Sequence, residues 1–162
     1  MAPPSFPLAP IEAARNFLER IQKPALLLVA VSGGSDSTGV LLALHEVLLV
    51  SGRDDVQLHA VTIDHALRPE AADEAQAVQL LCRGLTIPHD ILRWDDQKPK
   101  TGISAAARLA RYRLIGEVAG KICATAVVVG HTLDDQRETI AMRSQRSGQA
   151  GMPASLTAHR DR

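Results

Sequence analysis

The chain has 162 residues, about one domain's worth, with 18 acidic and 18 basic side chains. Zero net charge argues against strong autonomous binding of nucleic acid, which rests on a basic excess. No run reaches the ~18–20 apolar residues that span a bilayer.

Residues 1–10 contain four prolines and read as a loose arm. With the helix expected over Ile11–Ile21, this arm makes up residues 1–24, ahead of a main domain over 25–153 and a tail over 154–162. Ala25–Val31 is a short aliphatic run suited to a buried strand. It leads into Ser32-Gly33-Gly34-Ser35-Asp36-Ser37, after which Thr38–Val50 reads as a helix ending at Gly52. Val56–Ile63 is a second strand, and Pro69–Gly84 an Ala-rich helix with acids at its N-terminus. His89–Trp94 is a third strand and Asp95–Gly102 a polar loop. Ser104 is the expected N-cap of a helix to about Ala119. Ala124–Val129 is a fourth strand, and Asp134 to about Arg146 a last helix.

Aromatic residues are confined to Phe6, Phe17, Trp94 and Tyr112, so the core must be aliphatic. Near-continuous apolar strands alternating with helices imply a doubly wound, Rossmann-like α/β fold with a parallel sheet covered on both faces. Ligands of such sheets bind where the strands end. No signal peptide is evident at the start. Cys82 and Cys123 lie far apart in apolar stretches and read as buried thiols of a cytoplasmic protein.

The loops after the strands carry most of the unusual polar residues. In the first, Gly33 and Gly34 let the backbone turn sharply and approach an anion. Their amides and the following helix N-terminus favour phosphate, and Ser32, Ser35 and Ser37 add hydroxyls. Asp36 would repel phosphate unless it held a bridging divalent cation. The pattern is not a Walker A loop, which needs a lysine, nor a G-x-G-x-x-G fingerprint. Ser37 stands where a nucleophile elbow needs glycine, which leaves a serine hydrolase using Ser35 as a weaker reading.

Asp64 ends the second strand, where an acid can meet a ribose. His65 beside it suits a structural or a functional role. Arg108 and Arg111 share a helical face, either as a solvated flank or as a phosphate clamp. The fourth strand leads into His131, Asp134 and Asp135. The two acids can cap a helix, or hold a metal opposite the first loop.

Val31–Ser37, Asp64-His65-Ala66-Leu67-Arg68-Pro69-Glu70, Ala105–Tyr112 and Gly130–Thr139 together resemble the tRNA(Ile)-lysidine synthases. The first motif alone resembles the wider PP-loop, or N-type ATP pyrophosphatase, superfamily, whose domain is adenine nucleotide alpha hydrolase-like. The resemblance covers about residues 25–153. It implies a cytoplasmic ligase that adenylates C2 of the wobble cytidine of tRNA(Ile), releasing pyrophosphate, and then joins L-lysine. It further implies ATP on Ser32–Ser37, with Mg2+ on Asp36 and Asp135. Arg111 and His131 would lie at the nucleotide or the cytidine, with most tRNA contacts outside this chain and room for a homodimer. Ala66 departs from the glycine usual in that family, and Arg146–Met152 is shorter than the family segment. The early stop at Arg162 reads as an N-terminal fragment. The alternatives are a PP-loop tRNA thiolase, which would use paired cysteines, and a nucleotide-binding module without catalysis.

Overall fold

A computed structural model describes residues 10–130. Within them lie α1 (Pro10–Glu19), β1 (Ala25–Ala30), α2 (Ser35–Ser51), β2 (Val56–Asp64), α3 (Glu70–Gly84), β3 (His89–Arg93), α4 (Ile103–Ile122) and β4 (Ala126–Val129). The strands form one parallel sheet in the order β3-β2-β1-β4. Chain order runs outward from β1 through β2 to β3. The crossover through α4 then returns the chain to the other side of β1.

The two-residue alternation of a strand sorts the core into two halves. Leu27 and Val29 of β1, with Val31 just beyond it, join Val56, Leu58 and Ala60 of β2 against α1, α2 and α3. Leu28 and Val61 face the other way, against Ile115, Val118 and Ala119 of α4. Trp94, Ala107, Ala110 and Leu114 extend that second layer toward β3. Helices therefore cover both sheet faces, and the doubly wound architecture expected from the apolar runs is the observed one.

Helix ends show where local rules governed and where they did not. α2 stops at Gly52, whose φ of 67° is cheap without a Cβ. α4 begins two residues earlier than a Ser104 cap requires. Gly102, at φ 67°, is its N-cap, and the Gly102 carbonyl accepts from Ala106 N at 3.0 Å. Ser104 instead lies inside the first turn. α4 ends at Cys123, itself left-handed at φ 56°. That terminal position leaves Cys123 exposed, whereas Cys82 is buried. The expectation of two buried thiols thus holds for Cys82 alone. Burial also pushes the Cys82 thiol above its ordinary value, because the thiolate would lose its hydration.

Candidate functional site

The first loop is shorter than the sequence suggested. β1 pairing continues through Val31 N, which donates to Val61 O at 2.8 Å. α2 then begins at Ser35, so Ser35, Asp36 and Ser37 form its first turn rather than preceding it. Gly34 is the N-cap, in ordinary extended backbone, and its carbonyl accepts from Thr38 N at 3.1 Å. No side chain caps this end. The first amides of a helix have no partner inside it, and they carry the positive end of its dipole. An anion therefore fits at Ser35–Ser37.

The two glycines have different jobs. Gly33 has φ 91°, and a Cβ there would sit 3.3 Å from Glu74 Cβ on α3. Gly34 needs no special conformation, and its added Cβ would meet only Ser32 Oγ at 3.4 Å. The serines differ too. Ser37 is buried, and its Oγ accepts from Ser32 N at 2.9 Å while lying 3.0 Å from Ser32 Oγ. Ser32 Oγ in turn accepts from Gly34 N at 3.3 Å. Ser32 and Ser37 thus knit the turn together, while Ser35 and Asp36 stand exposed.

β4 delivers its exit to the same place. A Cβ on Gly130 would lie 3.1 Å from Ser37 Cα and 3.2 Å from Asp36 O. Backbone from the first and fourth strand ends is therefore in close contact. His131, Asp134 and Asp135, expected just beyond, fall outside the described residues. Among the described residues no three His, Cys, Asp or Glu side chains group as a metal site. Asp36 is the described member of the expected pair.

The second loop is built by its own acid. Asp64 is buried, and its Oδ1 accepts from Ala66 N at 2.8 Å, holding Ala66 at φ 57°. This explains why glycine suits position 66: a Cβ is strained in that conformation. The turn presents His65 and Arg68 to a cleft of about 540 Å³ that Ser32, Gly33, Gly34 and Glu74 also line. Arg68 bonds Glu74 Oε2 at 3.2 Å. Burial holds the His65 imidazole below its ordinary proton affinity. Arg111 adds to this by charge repulsion, as do Arg68 and Lys98, while Asp64 opposes them.

The third loop is pinned rather than loose. Lys98 places its ammonium 4.2 Å over the ring of Trp94, which is itself buried. It donates to Asp96 O at 3.1 Å and to Trp94 O. Arg113 reaches Asp96 at 2.7 Å and Glu117 at 3.0 Å, tying α4 to the loop. Arg111, two residues earlier on α4, is half-buried. Its guanidinium lies 5.0 Å from the Tyr112 ring centre. Glu74, Lys98 and Gly130 were not singled out from the sequence. Glu74 and Gly130 act through contacts between distant segments, and Lys98 through a loop that folds back on Trp94 and Asp96.

A model of the PP-loop domain matches residues 10–161 of this chain. The chain is 51% identical over 140 residues to the tRNA(Ile)-lysidine synthase of Rhizobium meliloti, covering 86% of this chain and 31% of that protein. With the enzyme of the same name from Rhodopseudomonas palustris it shares 49% over 146 residues, covering 88% and 41%. With that of Brucella anthropi it shares 48% over 124 residues, covering 76% and 27%. The chain thus spans about a third of the length of these relatives. Among solved structures, a U34-tRNA thiolase from Methanococcus maripaludis, with its 4Fe–4S cluster, superposes with a TM-score of 0.66 at 17% identity. That likeness covers 85% of this chain and 50% of the thiolase, and it shows the fold alone.

Proposed function

The chain belongs to the PP-loop domain family, and from that premise we propose that it is the ATP-binding part of a tRNA(Ile)-lysidine synthase. The observation that carries the nucleotide reading is the meeting of Ser32, Gly33, Gly34, His65 and Arg68 around one cleft, where the glycine turn leads into the N-terminus of α2. The lysidine reading is supported by relatives of that name at about half identity.

In this proposal ATP supplies an adenylyl group to the oxygen on C2 of the wobble cytidine, and pyrophosphate leaves. The ε-nitrogen of L-lysine then forms a bond to C2 as the C2–oxygen bond breaks and AMP departs. The residues of this chain orient and neutralise. Ser35–Ser37 amides donate to terminal phosphate oxygens, and Ser32 and Ser37 keep that turn rigid. Asp36 is the right type of residue, an exposed carboxylate beside an anion site, to carry magnesium, with Asp135 as the proposed second carboxylate. Arg111 and His131 are assigned to the nucleotide or the activated cytidine. The enzyme would be cytoplasmic, with most tRNA contacts outside this chain, and compatible with a homodimer. No helix among the described residues is long and apolar enough to cross a membrane. A thiolase would use paired cysteines, but Cys82 lies buried on α3 and Cys123 exposed at the end of α4.

Two measurements test this. Asp36→Ala should weaken magnesium-dependent ATP binding by about tenfold or more, the effect of losing one charge-assisted contact; unchanged binding refutes the role given to Asp36. The protein that carries this chain, supplied with ATP, labelled lysine and tRNA(Ile), should release pyrophosphate and incorporate lysine into the tRNA. Pyrophosphate release without incorporation overturns the lysidine reading and spares the nucleotide one.

A further inference from the structure

Two buried polar atoms have no hydrogen-bond partner among the described residues: Nδ1 of His65, which lines the cleft, and Nε of Arg111 on α4. Arginine Nε–H is a donor and nothing else, so what it lacks is an acceptor. Leaving such a donor buried and unpaired is costly, which points to an acceptor in the working molecule. The other contacts of Arg111 do not supply one of full strength. Its Nη2 stands 3.5 Å from the Tyr112 hydroxyl, at the limit of a hydrogen bond.

The surroundings select the kind of acceptor. Among the described residues, Arg68 and Lys98 act electrostatically on His65 together with Arg111, and Asp64 opposes them. Arg68 is held by Glu74 and Lys98 by the carbonyls of Trp94 and Asp96, so both cations are fixed in place. His65 opens on the cleft that contains Ser32–Gly34. An anion with several acceptor oxygens, reached through the phosphate-loop cleft, satisfies all of these groups.

We propose that His65 and Arg111, with Lys98 behind them, form a phosphate subsite separate from the Ser35–Ser37 amides. The inference rests on the nucleotide reading above and deepens it. The group bound is a phosphate ester, which two sources could provide: the α-phosphate of a nucleotide whose terminal phosphates occupy the loop, or a backbone phosphate of the RNA.

The full chain, with nitrogen-15 in its histidines, is titrated separately with pyrophosphate, AMP, a short RNA stem-loop and L-lysine. Pyrophosphate should bind without moving the His65 imidazole signals. AMP or the stem-loop should move them and raise the proton affinity of His65. A response to AMP assigns the α-phosphate; a response to the stem-loop assigns the RNA backbone. Arg111→Met should weaken the responding probe about tenfold, the loss expected of one charge-assisted hydrogen bond, and leave pyrophosphate within about twofold. Arg111→Lys, which keeps the charge without Nε, should recover part of that loss. The subsite is overturned if neither phosphate ester moves His65 in the unaltered chain. It is equally overturned if L-lysine alone moves it, or if Arg111→Met weakens pyrophosphate as much as the ester. Failure of pyrophosphate to bind while an ester still moves His65 would sink the loop reading and leave the subsite standing.

Discussion

Alanine at Gly33 should be costly and alanine at Gly34 nearly neutral, although the two residues are adjacent and identical. Gly33 lies at φ 91°, where an L side chain is disfavoured by about 1–2 kcal/mol. Its new Cβ would also come within 3.3 Å of Glu74 Cβ, tight enough that α3 or the turn must shift by a few tenths of an ångström. Alanine restricts the unfolded chain, which returns roughly 0.4–1 kcal/mol. The net cost of Gly33→Ala is therefore about 0–1.6 kcal/mol, to which the crowding against Glu74 adds. Gly34 has φ −74° and ψ 162°, which any residue adopts. Alanine is a poorer N-cap than glycine by several tenths of a kcal/mol, about what the unfolded-state effect restores. Gly34→Ala should be close to neutral. At about 2–4 °C per kcal/mol for a chain of this size, thermal unfolding should separate the two variants by a few degrees, with Gly33→Ala lower. Equal midpoints, or Gly34→Ala the less stable, would refute the assignment of the turn's strain to Gly33.

Ala66→Gly should stabilise the chain by about 0.5–1 kcal/mol in urea denaturation, because relief of the left-handed strain exceeds the added freedom of the unfolded state. Gly130→Ala should cost about 1–3 kcal/mol, the usual range for overpacking, since its Cβ would press on Ser37 and Asp36 backbone. It should also lower ATP affinity; a variant as stable as the parent counts against that contact. His65 and His89 both hold depressed proton affinities, chiefly through burial. The unfolded chain then binds more protons below the ordinary histidine value of about 6.5, so stability should fall as pH drops through that value. Cys82 is shifted upward, so stability should also fall as pH rises through the ordinary thiol range. A urea midpoint that rises on acidification from neutrality would contradict the histidine placement.

The strands were legible because four apolar runs were short, bounded by turn residues and separated by helix-length segments. β1 and β4 therefore came out within a residue or two of their observed ends. Boundaries failed where backbone geometry outranked side-chain preference. Ser104 has the chemistry of a cap, yet Gly102 took that role through a left-handed turn that a serine adopts less readily. Ser35, Asp36 and Ser37 have the composition of a loop, which sets the expected start of α2 at Thr38; in the fold Ser37 points back to close the turn and the helix starts at Ser35. The His65 and Arg111 neighbourhood was half visible. Each residue stood out alone, but their proximity depends on α4 packing across the end of β2. The strain at Ala66 was foreshadowed by the glycine that the resembling family has there, and Asp64 supplies its cause.

The Ser32–Ser37 turn hangs from β1, which is hydrogen-bonded on both sides, to β2 over Ala25–Ala30 and to β4 over Leu27–Ala30. Strands so placed open last, with amide exchange limited by unfolding of the whole domain. A ligand at this turn accordingly meets a receptor that is already assembled. Its association rate should stay diffusive rather than wait on local opening, and little ordering entropy should be lost on capture. Fraying of the outer strand β3 or of α1 would then leave the turn intact, so that nucleotide capture outlasts the first stages of denaturation.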